Sequence, residues 1–238
     1  MAGHSKWANI KHRKDRADKK KGKLFSRLAK EIISAVKQGG PDPKANSKLK
    51  LVIQKAKAAN LPSDTIERNI KKASSASQED FHEVSYEIYG HGGTGIIVDV
   101  LTDNKNRSAS DIRIAINKCG GNIANPGAVA FNFDRKGVIQ IPKEKGEEEA
   151  IFEVASDAGV EDFDLSEDQY IITTAPEDLY KVKEKIEEKG IDSLDAELTM
   201  IPKTYVECKP EDEEANIKLI EWLENIDDID AVYHNMNL

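Results

Sequence analysis

Apolar residues first recur at helical spacing, one in every four positions from Leu24 to Val36. This stripe predicts an amphipathic helix that ends at the following Gly-Gly-Pro sequence. Two shorter stripes, at residues 49–56 and 66–70, predict two more helices of the same kind. Three short amphipathic helices with brief loops predict a small helical domain over residues 24–78, which ends in a serine-rich linker.

After this linker the hydrophobic period changes to the alternation that is typical of β-strands. Residues 86–89 and 95–101 predict two strands around a glycine-rich turn, and residues 108–118 predict the helix that follows them. The same patterns then predict, in order, strands at residues 128–133 and 205–207, a helix at residues 211–225 and a strand at residues 231–234.

Residues 138–200 predict a β-α-β-β-α-β series that is complete in itself, and this is the ferredoxin-like order. The simplest architecture therefore nests one domain in another. Residues 79–134 plus 200–238 form one α/β domain, and residues 135–199 form an inserted ferredoxin-like α/β domain. The predicted fold class is α+β with three domains, an N-terminal three-helix domain followed by two α/β (ferredoxin-like) domains, one inserted in the other.

The net charge of −8 conceals a strong polarity along the chain. Residues 1–75 contain 20 Lys and Arg against 6 Asp and Glu, a net charge of +14, whereas residues 76–238 carry a net charge of −22. A basic N-terminal segment joined to an acidic remainder indicates that the N-terminal segment binds a polyanionic partner. Residues 1–23 contain few large apolar side chains, so they are predicted to form a flexible basic arm before binding.

Phosphate backbones bind dense cationic arrays through the release of counterions, which makes the arm and the helical domain the candidate interface. Trp7 is a candidate platform for stacking an unpaired base. The predicted nucleic-acid-binding residues are Lys6, Trp7, Lys11, His12, Arg13, Lys14, Arg16, Lys19, Lys20, Lys21, Lys23, Arg27, Lys30, Lys55, Arg68, Lys71 and Lys72. The alternative is a solvated tail, with Trp7 docked on the protein's own surface.

A second polar segment lies between a predicted strand and the helix at residues 108–118. Asn104, Asn106 and Arg107 offer a second contact with bases or phosphate, because loops at strand ends often carry function. The same residues also suit a turn followed by a helix cap, in which Ser108 and Asp111 are the predicted cap residues. The sequence favours neither reading over the other.

Neither a metal centre nor a catalytic motif stands out in the sequence. His4 and His12 lie eight residues apart without a Cys or carboxylate at ligand spacing, so we predict no metal site. The chain contains no GxSxG, P-loop or HExxH pattern, and the glycine-rich loop at residues 90–95 leads into a strand, as a turn does. We therefore expect no enzymatic activity, no catalytic residues, no cofactor and no small-molecule substrate.

The two cysteines, Cys119 and Cys208, are far apart and belong to no paired motif, which is typical of reduced thiols in the cytosol. No apolar run approaches the length that crosses a bilayer, and no apolar segment follows the basic N-terminus as it would in a secretory signal. We expect a cytoplasmic protein without membrane association. The oligomeric state stays open.

At several points the chain resembles the YebC-like family. The matching segments are MAGHSKWANIKHRK at residues 1–14, GKLFSRLAKEI at 22–32, GGPDPKAN at 39–46, IERNIKKA at 66–73, TDNKNRSASDIR at 102–113 and FDRKG at 133–137. The chain differs at His91 and Ala128, where the family often has Pro and Ser. The resemblance implies a helical first domain and two α/β domains, one inserted in the other, without enzymatic activity or a cofactor.

Members of this family resemble DNA-binding transcriptional regulators, and others, including a mitochondrial translational activator, resemble factors that act on mRNA or the ribosome. We therefore predict a nucleic-acid-binding regulatory protein, with a DNA-binding transcriptional regulator as the first hypothesis. A ribosome- or mRNA-associated translation factor is the alternative within this class. A protein-interaction adaptor, whose acidic α/β domains bind a basic partner, is the alternative from another class.

Overall fold

The computed structural model describes residues 7, 9, 10, 21–75, 81–166, 168–191 and 195–238. Two compact units form: Phe133–Ile201 belongs to one, and the N-terminal helices, the sheet that follows them and Pro202–Leu238 belong to the other. Most of the predicted flexible arm, residues 1–23, lies outside the described residues. Within the described residues no helix has both the length and the apolar character to cross a membrane.

The helical domain consists of three helices, α1 (Lys21–Gly39), α2 (Ser47–Ala58) and α3 (Ser63–Ser74). Their apolar stripes meet in one core, whose fully buried members include Ile32, Leu49 and Ala56. Asn46 joins the first two helices, because its Nδ2 donates to the carbonyl of Ala35 at 2.8 Å and its Oδ1 accepts from the amide of Leu49 at 3.0 Å. One side chain thus satisfies groups that the end of α1 and the start of α2 leave unpaired.

The remaining elements, in chain order, are β1 (His82–Tyr89), β2 (Gly95–Thr102), α4 (Lys105–Cys119), β3 (Asn122–Ile123), β4 (Phe133–Pro142), α5 (Glu148–Ala158), β5 (Asp162–Leu165), β6 (Gln169–Thr174), α6 (Leu179–Glu188), β7 (Asp195–Pro202), α7 (Pro210–Glu224) and β8 (Ile229–His234). They form two four-stranded sheets, each with two of the helices.

The first sheet has the strand order β3-β1-β2-β8. β1 and β2 form an antiparallel hairpin, and β8, from the end of the chain, pairs with β2 so that Ile97 lies opposite Tyr233. The helices α4 and α7 contribute Ile112 and Leu219 to the core, where they pack with Ile88 of β1. The end of the chain therefore completes a sheet that begins before residue 133.

The second sheet has the strand order β5-β6-β4-β7 and lies entirely within Phe133–Ile201 and the adjoining Pro202. This is the strand order of a ferredoxin-like fold, built from the predicted β-α-β-β-α-β series. Gly137 in β4 is required by packing, because a Cβ there would lie 2.3 Å from Oγ1 of Thr174 and 2.8 Å from Cβ of Leu179. The predicted α+β fold class, with one α/β domain inserted in another, is confirmed.

Two predicted strands are wrong. Residues 130–132 form a 3-10 turn, and the strand predicted at residues 128–133 begins only at Phe133. The carboxylate of Glu87 accepts hydrogen bonds from the amides of Gly127, Val129 and Ala130, so these amides are not available to a strand ladder. The segment predicted as a strand at residues 205–207 makes a single bridge, between Val206 and Met236.

Candidate nucleic-acid interface

Most of the predicted arm contacts lie outside the described residues, namely Lys6, Lys11, His12, Arg13, Lys14, Arg16, Lys19 and Lys20. The backbone of Lys21 and Lys23 lies in the first turn of α1. Trp7 is only 8% exposed, so the indole face predicted to stack on a base is covered in this structure. Asn9, which the sequence did not single out, is also buried, and its Nδ2 donates to the carbonyl of Met236 at 2.8 Å.

Two predicted contact residues meet at one buried carboxylate. Asp228 is 4% exposed, and its Oδ1 lies 2.8 Å from Nζ of Lys30. Arg107 donates to Oδ2 from Nη2 at 2.7 Å and from Nε at 3.0 Å. The hydroxyls of Ser108 and Thr102 donate to the same oxygen at 2.9 and 3.0 Å. Of these four donors, Lys30 comes from α1 and the other three from β2 and α4, so the carboxylate joins the helical domain to the first α/β domain through Lys30.

The ionised form of the Asp228 carboxylate is strongly favoured over the protonated form. Burial alone would raise the pKa of Asp228, but the hydrogen bonds from Lys30, Arg107 and Ser108 outweigh it and lower the pKa to about 2. The carboxylate is therefore ionised at neutral pH and neutralises cations that the sequence assigned to nucleic acid. In this structure Lys30 links the helical domain to the first α/β domain, and Arg107 holds Asp228 within that α/β domain.

A second ionic cluster lies where α1 faces β8. Nε of Arg27 lies 2.9 Å from Oδ1 of Asp230 and 3.6 Å from Oε1 of Glu31. Burial and the neighbouring charge of Asp230 raise the pKa of Glu31 to about 7, although the charges of Lys55 and Arg27 oppose the rise. Arg27 and Lys55 thus act on carboxylates within the protein, which the pattern of the sequence did not indicate.

Most polar groups of the predicted second contact site serve the start of helix α4 instead. Oδ1 of Asn104 accepts from the amides of Asn106 and Arg107, both at 3.1 Å, and α4 begins at Lys105. The predicted cap at Ser108 and Asp111 is wrong, because Ser108 is buried one turn inside the helix. Arg107 also pairs with Asp103 at 2.7 Å, while Asn106 is exposed.

Three cations on α3 stand apart from these clusters. Arg68, Lys71 and Lys72 are exposed, and none of them forms an ion pair with another described residue. Their spacing, i, i+3 and i+4, places them on one face of the helix. Over residues 21–75 the chain has 13 Lys and Arg against 4 Asp and Glu, a net charge of +9. These three cations are therefore predicted contacts whose charges are open to an outside anion.

The glycine-rich loop before β2 is held as a turn, as the sequence predicted. Asn216 of α7 accepts from the amide of His91 at 2.8 Å and donates to the His91 carbonyl at 3.1 Å and to Oγ1 of Thr94 at 2.9 Å. A Cβ at Gly90 would lie 2.5 Å from Oδ1 of Asn216. The amide of His91 is therefore engaged in the fold rather than directed at a phosphate.

Groups suited to other chemistry are few among the residues that the structure describes. No group of three or more His, Cys, Asp and Glu is arranged to hold a metal ion within these residues. Cys119 and Cys208 are free thiols. His4 and His12 lie outside the described part of the chain.

The chain matches known proteins along its whole length. Residues 5–76 match the TACO1/YebC protein N-terminal domain, and residues 81–236 match the TACO1/YebC second and third domain. A probable transcriptional regulatory protein of Protochlamydia amoebophila is 63% identical over 238 residues, 100% of this chain and 97% of that protein. One from Chlamydia pneumoniae is 57% identical over the full length of both.

A solved structure has the same fold as this chain. The crystal structure of a conserved hypothetical protein from Aquifex aeolicus superposes with a TM-score of 0.82 at 41% sequence identity, covering 91% of this chain and 90% of that one. The two family models together match most of the chain, and the two relatives align with all of it at 57% and 63% identity. The chain belongs to the TACO1/YebC family.

Proposed function

We propose that this protein is a non-enzymatic regulator of gene expression that binds nucleic acid through its basic arm and helical domain. The observation that carries the proposal is the distribution of charge among the domains. Residues 21–75 have a net charge of +9, whereas residues 81–132 with 202–238 have −8 and residues 133–201 have −12. A phosphate backbone is attracted to the first of these and repelled by the others.

The exposed stripe of Arg68, Lys71 and Lys72 narrows the interface within the helical domain. Arg27 and Lys30 are engaged with carboxylates of the first α/β domain, so binding a phosphate would cost these ion pairs. The stripe has no such competitor among the described residues. We infer that it forms the fixed part of the interface, which the predicted contacts of residues 6–23 extend.

The names of the relatives describe transcriptional regulation, and a regulator that binds nucleic acid can act on transcription at promoter DNA, so a DNA-binding transcriptional regulator is the first candidate. A translation factor on mRNA or the ribosome is the second candidate. It is favoured by an apolar groove beside Ile53 and Ile70 in the helical domain, because such a groove suits an unpaired base and RNA loops offer unpaired bases. Both candidates use the same cationic surface, and they differ in the nucleic acid that this surface meets in the cell.

Crosslinking in growing cells, followed by sequencing of the attached nucleic acid, separates the candidates. The test variant changes Arg68, Lys71 and Lys72 to Gln. The control variant changes Lys105, Arg113 and Lys118 to Gln, which removes the same three charges from α4. We expect the test variant to lose crosslinks and the control to keep them. Promoter DNA among the crosslinks supports transcription, and mRNA or ribosomal RNA supports translation. Equal crosslinking by both variants would contradict the proposed interface.

A further inference from the structure

A groove of about 380 Å³ lies between α2 and α3 on the helical domain. Each helix contributes a row of side chains at positions i, i+3, i+4 and i+7, which is the spacing of one helical face. The rows are Lys50, Ile53, Gln54 and Lys57 from α2, and Ser63, Ile66, Glu67 and Ile70 from α3. The volume lies within the range of pockets that bind small ligands.

The groove has an apolar floor. Ile53 and Ile70 are partly exposed, and Ile66 is buried at its base. The same three side chains belong to the hydrophobic core of the helical domain or pack against it. The floor is therefore fixed by packing from below, so it presents a firm apolar surface to an occupant rather than a collapsible one.

The rim of the groove is polar, with two lysines and one glutamate among its side chains. Lys50 and Lys57 lie one helical turn to either side of the Ile53 position, and Lys57 is exposed. Ser63 and Glu67 supply a hydroxyl and a carboxylate along α3. An occupant that suits this site is flat and apolar on its faces, has hydrogen-bonding groups at its edge, and carries negative charge where it leaves the groove.

We propose that the groove binds an unpaired nucleotide, with its base against the isoleucine floor and its flanking phosphates at Lys50 and Lys57. This inference rests on the proposed function and adds the kind of nucleic acid that the protein selects. A base within a duplex is stacked on both faces and cannot enter, whereas a bulged or looped base can. The surrounding charge of +9 favours a nucleic acid over an uncharged or basic peptide as the occupant.

The test compares the affinities of matched hairpins for the full chain by fluorescence anisotropy. One RNA hairpin carries a single bulged adenosine, a second has an abasic site at the bulge, and a third is fully paired. A DNA set of the same design distinguishes an RNA loop from melted DNA as the source of the unpaired nucleotide. The intact and abasic probes carry the same phosphates, so their difference isolates the base.

A pair of substitutions at equivalent helix positions supplies the control. Ser63 is the first residue of α3 and lines the groove, and Ser47 is the first residue of α2 and does not. Ser63→Phe fills the groove without changing the charge, and Ser47→Phe adds the same bulk elsewhere. Circular dichroism and thermal unfolding of both variants confirm that the helical domain is folded.

For the wild-type protein we expect the bulged probe to bind about tenfold more tightly than its abasic counterpart, because burial of roughly 55 Å² of apolar surface between the base and the isoleucines gives a preference of that size. Ser63→Phe should bring this ratio close to one, and Ser47→Phe should leave it unchanged. Equal affinity of wild type for intact and abasic probes, with salt-dependent binding retained, would overturn the groove as a base site and point to a protein segment as its occupant. Absence of binding to every probe would instead overturn the proposed function itself.

Discussion

Asn in place of Asp228 tests how the helical domain is attached to the first α/β domain. The substitution keeps the shape of the side chain and removes its charge. Lys30, which donates to this carboxylate at 2.8 Å, then loses its anionic partner, and Arg107, which donates at 2.7 Å, keeps only Asp103. A buried ion pair that loses one partner is strongly destabilising, because the remaining charge is desolvated and uncompensated.

The size of the effect follows from the pKa. The hydrogen bonds lower the pKa of Asp228 from the ordinary value of 3.8 to about 2. A difference of close to two pK units between the folded and unfolded states is about 2–3 kcal/mol of folding free energy at pH 7. We expect Asp228→Asn to lower the free energy of unfolding by about this amount at pH 7.

The direction of the pH dependence is a second check on the same substitution. Because the folded pKa is depressed, the contribution of Asp228 is complete well above pH 4 and is lost as the pH falls through about 2. Urea unfolding at pH 7 and at successively lower pH should therefore show the variant and wild type converging in acid. Asp227→Asn, which removes the same charge from the exposed neighbouring residue, should change stability little. The reasoning would be refuted if Asp228→Asn had the same free energy of unfolding as wild type at pH 7, or if the difference between them did not shrink in acid.

Three further substitutions test other parts of the fold. Glu31 has a folded pKa of about 7, above its ordinary value of 4.5, so wild type loses stability as the pH rises between these values. The melting temperature of Glu31→Gln minus that of wild type should therefore increase from pH 5 to pH 8. A difference that stays constant over this range would contradict the raised pKa of Glu31. Gly137→Ala forces a Cβ against Thr174 and Leu179 and should cost about 1–3 kcal/mol in urea unfolding of the inserted domain; a neutral effect would argue against this packing. Asn216→Ala should speed amide hydrogen exchange at residues 91–95 while exchange in the inserted domain stays the same; unchanged protection of the turn would contradict its support by Asn216.

The periodicity of the sequence was sufficient for most elements of the fold. The stripe from Leu24 to Val36 predicted α1, and the order of strands and helices in residues 138–200 predicted the inserted ferredoxin-like sheet. Such patterns are local, and the structure departs from them where a distant side chain intervenes. Glu87 binds the amides of Val129 and Ala130 from more than 40 positions away and turns a predicted strand into a 3-10 turn.

The candidate interface was harder to predict for the same reason. Charge density identified the helical domain, but it could not show that Lys30 lies on Asp228, 198 residues further along the chain. The isoleucines of α2 and α3 were correctly assigned to apolar helix faces. Periodicity does not show whether two such faces close on each other, so the groove beside Ile53 and Ile70 became evident only from the packed structure.

The salt dependence of affinity tests the central claim, that the basic helical domain binds phosphate. The logarithm of the binding constant falls linearly with the logarithm of salt concentration, with a slope of about −0.9 for each neutralised phosphate on duplex DNA and about −0.7 on single strands. Wild type, the Arg68/Lys71/Lys72→Gln variant and the Lys105/Arg113/Lys118→Gln control are titrated with one nucleic acid over a series of salt concentrations.

We predict that the α3 variant has a shallower slope than wild type by about 2–3, since three cations no longer displace counterions. The α4 control should keep the wild-type slope, because its charges lie on an acidic domain. A shallower slope for the control, or an unchanged slope for the α3 variant, would contradict the account.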